Sequence, residues 1–310
     1  MRRFIDRCYT EKTANLFLES CRDWMNKINE GREYYSEDFK EQQFLIFAGM
    51  LSYYGYEYLD EIVEVFKETE FFYVEIDYED FKKENPEFSL QFAENPIALT
   101  RRAVCLELFP LRLVSDNTIW LFVQNNYSKR DWLEIVIHEV NHIVNSVNNS
   151  LRVRGFDVIG RTGCALFSNK YAAKSGDIFE ESVNVLQTAE VMNHILGFYN
   201  FNIYDDEIRS IFDKYRDESF TKSEGIGYNL SVPHIRELYN IPRFREILFD
   251  VRMNGNLKEL ETYFDGLLYT GAYDDLLVAT DKFYFCSDEV EREKGTEKVK
   301  ELVKMYKSKI

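Results

Sequence analysis

Apolar residues recur along most of this chain at spacings of three and four, the period of a helix with one buried face. That pattern predicts helices over Glu11–Ile28, Ser36–Tyr54, Tyr58–Glu68 and, at the far end, Glu289–Lys307. Between them lie short β-branched and aromatic runs that read as strands: Phe71–Ile76, Val104–Phe109, Thr118–Gln124 and a pair near Phe156–Leu166. The Glu84-Asn-Pro and Glu94-Asn-Pro steps are loop signals. The expected class is α+β and predominantly helical. Three regions are expected: a mainly helical 1–95, a core over 96–200 that holds most strands, and a helical 201–310.

Two predicted helices in the middle region carry chemistry. The first, Asp131–Ser146, contains His138-Glu139-Val140-Asn141-His142, an HExxH motif in a chain with only 4 histidines. An i,i+4 spacing stacks two imidazoles on one helix face, where both can bind one Zn²⁺, with Glu139 beside them as a general base. At about 100° per residue, His142 falls about 40° and Glu139 about 100° from His138. Glu134, Asn141, Asn145 and Ser146 lie on the same side, which is expected to face a polar cleft. Leu133, Val136, Ile137, Val140, Ile143, Val144 and Val147 form the opposite, apolar arc. Ser128-x-x-Asp131 has capping-box spacing at the start. The strand Thr118–Gln124 just upstream suggests a sheet edge along which an extended peptide lies above the metal.

A catalytic zinc takes a third protein ligand and keeps a position open for water. Asn145 and Asn148 stand where the glycine and last histidine of HExxHxxGxxH would be, so that solution is excluded. The second helix, Gly176–Ile195, offers carboxylates instead, with Asp177 expected to cap its start. Glu181 heads a stripe formed by Val185, Met192 and Ile195, where a carboxylate needs a partner. Glu180 is the alternative ligand. Glu190 and His194 point the other way and read as an i,i+4 surface pair.

HExxH followed by a glutamate on a later helix resembles the gluzincin metallopeptidases. Phe179-Glu-Glu-Ser-Val-Asn184 is similar to the motif that carries their third ligand, and that placement also falls on Glu181. Arg161-Thr-Gly-Cys-Ala-Leu166 resembles the stretch between the two helices in small gluzincin-like proteins. Gly255–Gly266 is similar to a helical tail of uncharacterised bacterial members. Ser182 departs from the family's glycine, and Val185 stands where an acidic residue behind the ligands is expected. The resemblance implies a zincin-like core with a small mixed sheet, Zn²⁺ held by His138, His142 and Glu181, and hydrolysis of a peptide or protein substrate. It also implies an oxyanion donor after the glutamate helix, for which Tyr228, His234, Tyr263 and Tyr269 are available, with Tyr228 preferred. The alternative is a zincin-like scaffold that binds metal or a partner without turnover.

Composition narrows the partners. Net charge is −16, which argues against nucleic acid or an anionic membrane surface. With 25 Phe, 21 Tyr and only 5 Pro, the chain reads as a packed helical globule. Cys8, Cys21, Cys105, Cys164 and Cys286 form no CxxC pattern, and Met1–Tyr9 carries no apolar run. Both point to a cytoplasmic setting.

Overall fold

The structure is a computed structural model. It describes residues 10–32, 36–74, 78–84, 98–108, 111–122, 128–145, 150–153, 156–159, 161–162, 165–168, 173–216, 222–223, 232–285 and 287–310.

Local signals set the first helices. The α1 helix (Glu11–Ile28) starts at Thr10, whose hydroxyl accepts from the Thr13 amide while the Thr13 side chain closes a reciprocal capping box. The α2 helix (Glu37–Tyr54) starts at Ser36 and ends at Gly55, whose φ of 109° is open to glycine alone at little cost. Most of α2 is buried: Phe39 and then the unbroken run from Gln43 to Tyr54. It therefore runs through the interior, with α1, α3 (Leu59–Glu68) and α6 (Asp177–Phe198) packed around it.

A mixed three-stranded sheet covers one side of this core. It contains β1 (Thr69–Val74), β2 (Ala98–Leu108) and β3 (Leu111–Phe122) in the order β1-β3-β2. The β3 strand is parallel to β1, with Phe71 opposite Ile119, and antiparallel to β2, with Thr100 opposite Ile119. The strand expected at a sheet edge is thus the central one: residues 117–121 are paired on both sides. An extended peptide has no open side along β3, and the edges among the described residues are β1 and β2. The sequence pattern locates a strand but not its neighbours, because β1 joins from more than forty residues upstream.

The α5 helix (Lys129–Val144) packs on β2 and β3 through the apolar arc foreseen for it. Val136, Ile137, Val140 and Ile143 join Phe47, Leu51, Ile119 and Leu121 in a first core that also takes Met192 and Ile195 from α6. After α5 come a hairpin, β4 (Ser150–Val153) with β5 (Phe156–Ile159), and a three-stranded antiparallel sheet of β6 (Arg161–Thr162), β7 (Ala165–Ser168) and β8 (Ala173–Ser175). The remaining helices are α4 (Tyr78–Glu84), α7 (Asp206–Tyr215), α8 (Val232–Tyr239), α9 (Pro242–Asn254), α10 (Leu257–Leu267), α11 (Ala272–Phe285) and α12 (Glu289–Lys307). From α8 onward they form a second core with Phe179, Val183 and Leu186 of α6. One face of α6 thus serves each core. The protein is mainly helical with small sheets, as expected for an α+β chain. No helix among the described residues is long and apolar enough to cross a membrane.

The start of α6 differs from the expected cap. Gly176, at φ 88°, occupies the N-cap and Asp177 lies in the first turn. The capping carboxylate comes from α11: Asp281 accepts from the Gly176 amide at 2.7 Å and the Ile178 amide at 3.1 Å. A tertiary carboxylate satisfies the orphan donors and complements the helix dipole, which a residue next in sequence was expected to do.

Candidate metal centre

The serine cap sets the start of α5, where Ser128 Oγ accepts from the Asp131 amide at 3.1 Å. From there the helical period carries His138 and His142 to one side, against α6. The two helices are locked together by side chains. Asn184 on α6 donates to the backbone carbonyl of His138 at 2.8 Å, and Asn141 on α5 donates to Thr188 Oγ1 at 3.2 Å. With α6 held in that register, Glu181, three residues before Asn184, comes opposite the histidines.

Three side-chain atoms converge there. Glu181 Oε2 lies 3.1 Å from His138 Nε2 and 3.3 Å from His142 Nε2, and the two Nε2 atoms are 3.1 Å apart. This His138, His142 and Glu181 group could hold a metal ion. The donor set and spacing fit one: ligands bound at about 2.0–2.1 Å in a tetrahedral shell stand about 3.3 Å from one another. The cluster is also accessible from one side. The side chains of Glu181, His138 and His142 are 26%, 16% and 10% exposed, so Glu181 and His138 border solvent and His142 lies deeper.

Electrostatics follow from that burial. Desolvation works to lower the His142 pKa, but Glu181 beside it, helped by Glu139 and Glu180, pushes it up to about 9. Desolvation works to raise the Glu181 pKa, and the two histidines overcome it and hold the carboxyl well below its usual range. Without an ion the group is therefore an imidazolium–carboxylate cluster near neutral pH. Glu139 is half-buried and close enough to act on the charge of His142.

The polar side of α5 is only in part a cleft. Asn141 and Asn145 are fully buried. Tyr54 of α2 donates to Asn141 Oδ1 at 2.9 Å, and Asn145 donates to the Tyr54 hydroxyl at 3.1 Å and to Gln187 Oε1 at 3.2 Å. One turn before His138, the buried Glu134 accepts from the Ser223 hydroxyl, and desolvation raises its pKa. Polar residues foreseen as facing a cleft are thus sealed into two buried hydrogen-bonded groups, one on either side of the partly exposed His138. Sequence cannot distinguish a cleft from a sealed group, since both place polar residues on one arc.

Glu180, the alternative ligand, lies behind His142 instead. It is buried, accepts from the guanidinium of Arg252 on α9, and is 4.0 Å from His142 Nδ1. Glu190 and His194 do face away from the cluster, but not as a surface pair. Glu190 accepts from the Tyr239 hydroxyl at 2.6 Å and pairs with Arg245 at 2.9 Å, while His194 Nδ1 hydrogen bonds Ser52 at 2.8 Å. Tyr228 lies outside the described residues. Of the other oxyanion candidates, Tyr263 accepts from Tyr306 at 2.9 Å, Tyr269 donates to Asp275 at 2.7 Å, and His234 is half-buried on α8.

Arg252 and Gln187 were not foreseen. The available signal was an arginine on an apolar stripe: Phe244, Leu248 and Arg252 follow at i, i+4 and i+8 on α9, and all three are buried. No protein-family model, curated protein or solved structure matches this chain.

Proposed function

We propose that the chain is a zinc metallopeptidase of gluzincin type, built on a zincin-like core, with Zn²⁺ held by His138, His142 and Glu181. The observation that carries this reading is the convergence of two imidazoles and one carboxylate within 3.3 Å of one another, open to solvent on the Glu181 side, with Glu139 adjacent. A zinc ion there would supply a Lewis acid and lower the pKa of its bound water towards neutrality. Glu139 takes a proton from the attacking water and delivers it to the leaving amine. Asn184 and the Asn141–Thr188 bond hold the two ligand helices so that no reorganisation is needed on binding. Tyr228 is the proposed oxyanion donor, and Ser223, shortly before it in sequence, is tied to both ligand helices. Ser223 exchanges backbone hydrogen bonds with the Asn193 side chain at 2.7 and 3.1 Å and donates to Glu134. The edge left to an extended peptide beside α5 is that of β2, the strand on which α5 packs.

Metal content separates the ligands. Purified protein is expected to carry about one equivalent of zinc, the stoichiometry of one three-ligand site. Glu181→Ala should lose it, and Glu190→Ala should keep it. A protein that neither contains nor takes up zinc, or a Glu181→Ala variant that binds it as tightly as wild type, overturns the reading.

A further inference from the structure

Behind the three converging atoms lies a second charged layer. Arg252 is wholly buried, and its guanidinium donates to Glu180 Oε1 through Nη2 and to Gln187 Oε1 through Nη1. Glu180 Oε1 stands 4.0 Å from His142 Nδ1, the ring nitrogen opposite the Nε2 that meets Glu181 and His138. An ion pair buried this deeply adds little stability over apolar residues of the same volume, so its place behind the imidazole is the informative fact. Arg252 ties one Glu180 oxygen and Gln187 together, and Gln187 also accepts from Asn145, one turn after His142 on α5. The carboxylate therefore cannot swing away from the ring without breaking its bond to Arg252 of α9, a guanidinium that Gln187 also holds.

We infer that Glu180, held by Arg252, is the positioning carboxylate of the metal centre. It faces Nδ1 of His142, favours the tautomer that keeps the proton there, and leaves the Nε2 lone pair for the metal. Outer carboxylates of this kind orient a ligand imidazole and raise its basicity. The role falls to the residue before Glu181 in place of the acid expected at Val185, with an arginine from a distant helix as its clamp. This inference rests on the metal-site reading.

The test measures zinc affinity by competition with a chromophoric chelator and the visible spectrum of the Co²⁺-loaded protein. The variants are Glu180→Gln, Arg252→Gln and Glu180→Gln/Arg252→Met; the double variant removes both charges, so neither is left buried and unpaired. Each is expected to bind zinc about ten- to a hundredfold more weakly than wild type. Co²⁺ bands should shift, while the zinc-free melting temperature of the double variant stays near that of wild type. A folded Glu180→Gln or double variant with wild-type affinity and spectrum overturns the inference. So does an Arg252→Gln variant that binds as tightly as wild type, since Glu180 would then act without its clamp. Wild-type protein that binds neither metal overturns the metal site itself, a result distinct from unaffected variants.

Discussion

The side-chain amide of Asn184 donates to the backbone carbonyl of His138 at 2.8 Å, binding the glutamate helix to the histidine helix at the level of the candidate metal centre. The bond involves none of the three converging side-chain atoms. It sets the translation and rotation of α6 on α5, and hence which α6 side chain meets the histidines.

Replacing Asn184 with alanine removes that tie. The lost hydrogen bond should cost about 1–2 kcal/mol of stability. Zinc affinity should fall about tenfold, the lower end of what loss of an outer-shell partner produces. Chelator competition on the folded variant is the check, and wild-type affinity would show that the apolar packing of α5 on α6 sets the register by itself.

Charge in the cluster makes metal binding depend on pH. His142, with its pKa pushed up to about 9, is protonated at pH 7 in the ion-free protein. Zinc must displace that proton, so apparent affinity should rise by up to about tenfold per pH unit towards pH 9 and then level off. Calorimetry in buffers of different ionisation enthalpy should find about one proton released per zinc at pH 7 from this residue. Stability of the ion-free protein has the opposite trend above neutrality. The His142 contribution is complete below its unfolded pKa of about 6.5 and is lost as pH rises through about 9. The Glu181 contribution is present above its unfolded pKa of about 4.3 and is lost as pH falls through its depressed folded value. A zinc affinity independent of pH between 6 and 9 would contradict this charge state.

Gly49 allows α2 to approach α6 closely. A Cβ there would stand 2.5 Å from Ile195 Cγ1 and 3.2 Å from Val191 Cγ1. Helix propensity alone would make Gly49→Ala stabilising by about 1 kcal/mol. Overpacking in a closed core costs about 1–3 kcal/mol, so the net effect should be a loss. Thermal melts decide the sign, and adding Ile195→Val should recover part of the loss. A higher melting temperature for Gly49→Ala alone would refute the close approach.

Much of the site was legible because its signals are local. The i,i+4 spacing of His138 and His142 lies within one helix, as does the phase that puts Glu181 and not Glu190 towards them. Helices such as Glu11–Ile28 and Glu289–Lys307 carry their own caps in Thr10 and Asp288. What could not be read depends on partners distant in sequence. The central place of β3 is decided by β1, the cap of α6 by Asp281, and the surroundings of Glu180 by Arg252. A wheel shows which residues share a face, but whether that face meets water or another helix is a tertiary fact. Asn141 and Asn145 show the difference, since both were placed on the correct side and both are sealed within it.

Glu139→Gln tests the central claim most directly. Glu139 is not among the three residues that could hold the metal, so the variant should fold and retain zinc as wild type does. Wild-type protein should cleave members of a diverse peptide library. The variant should be slower by at least the roughly hundredfold attributed to a general base. Equal cleavage by both proteins, or none by either with zinc fully bound, would contradict the proposed metallopeptidase.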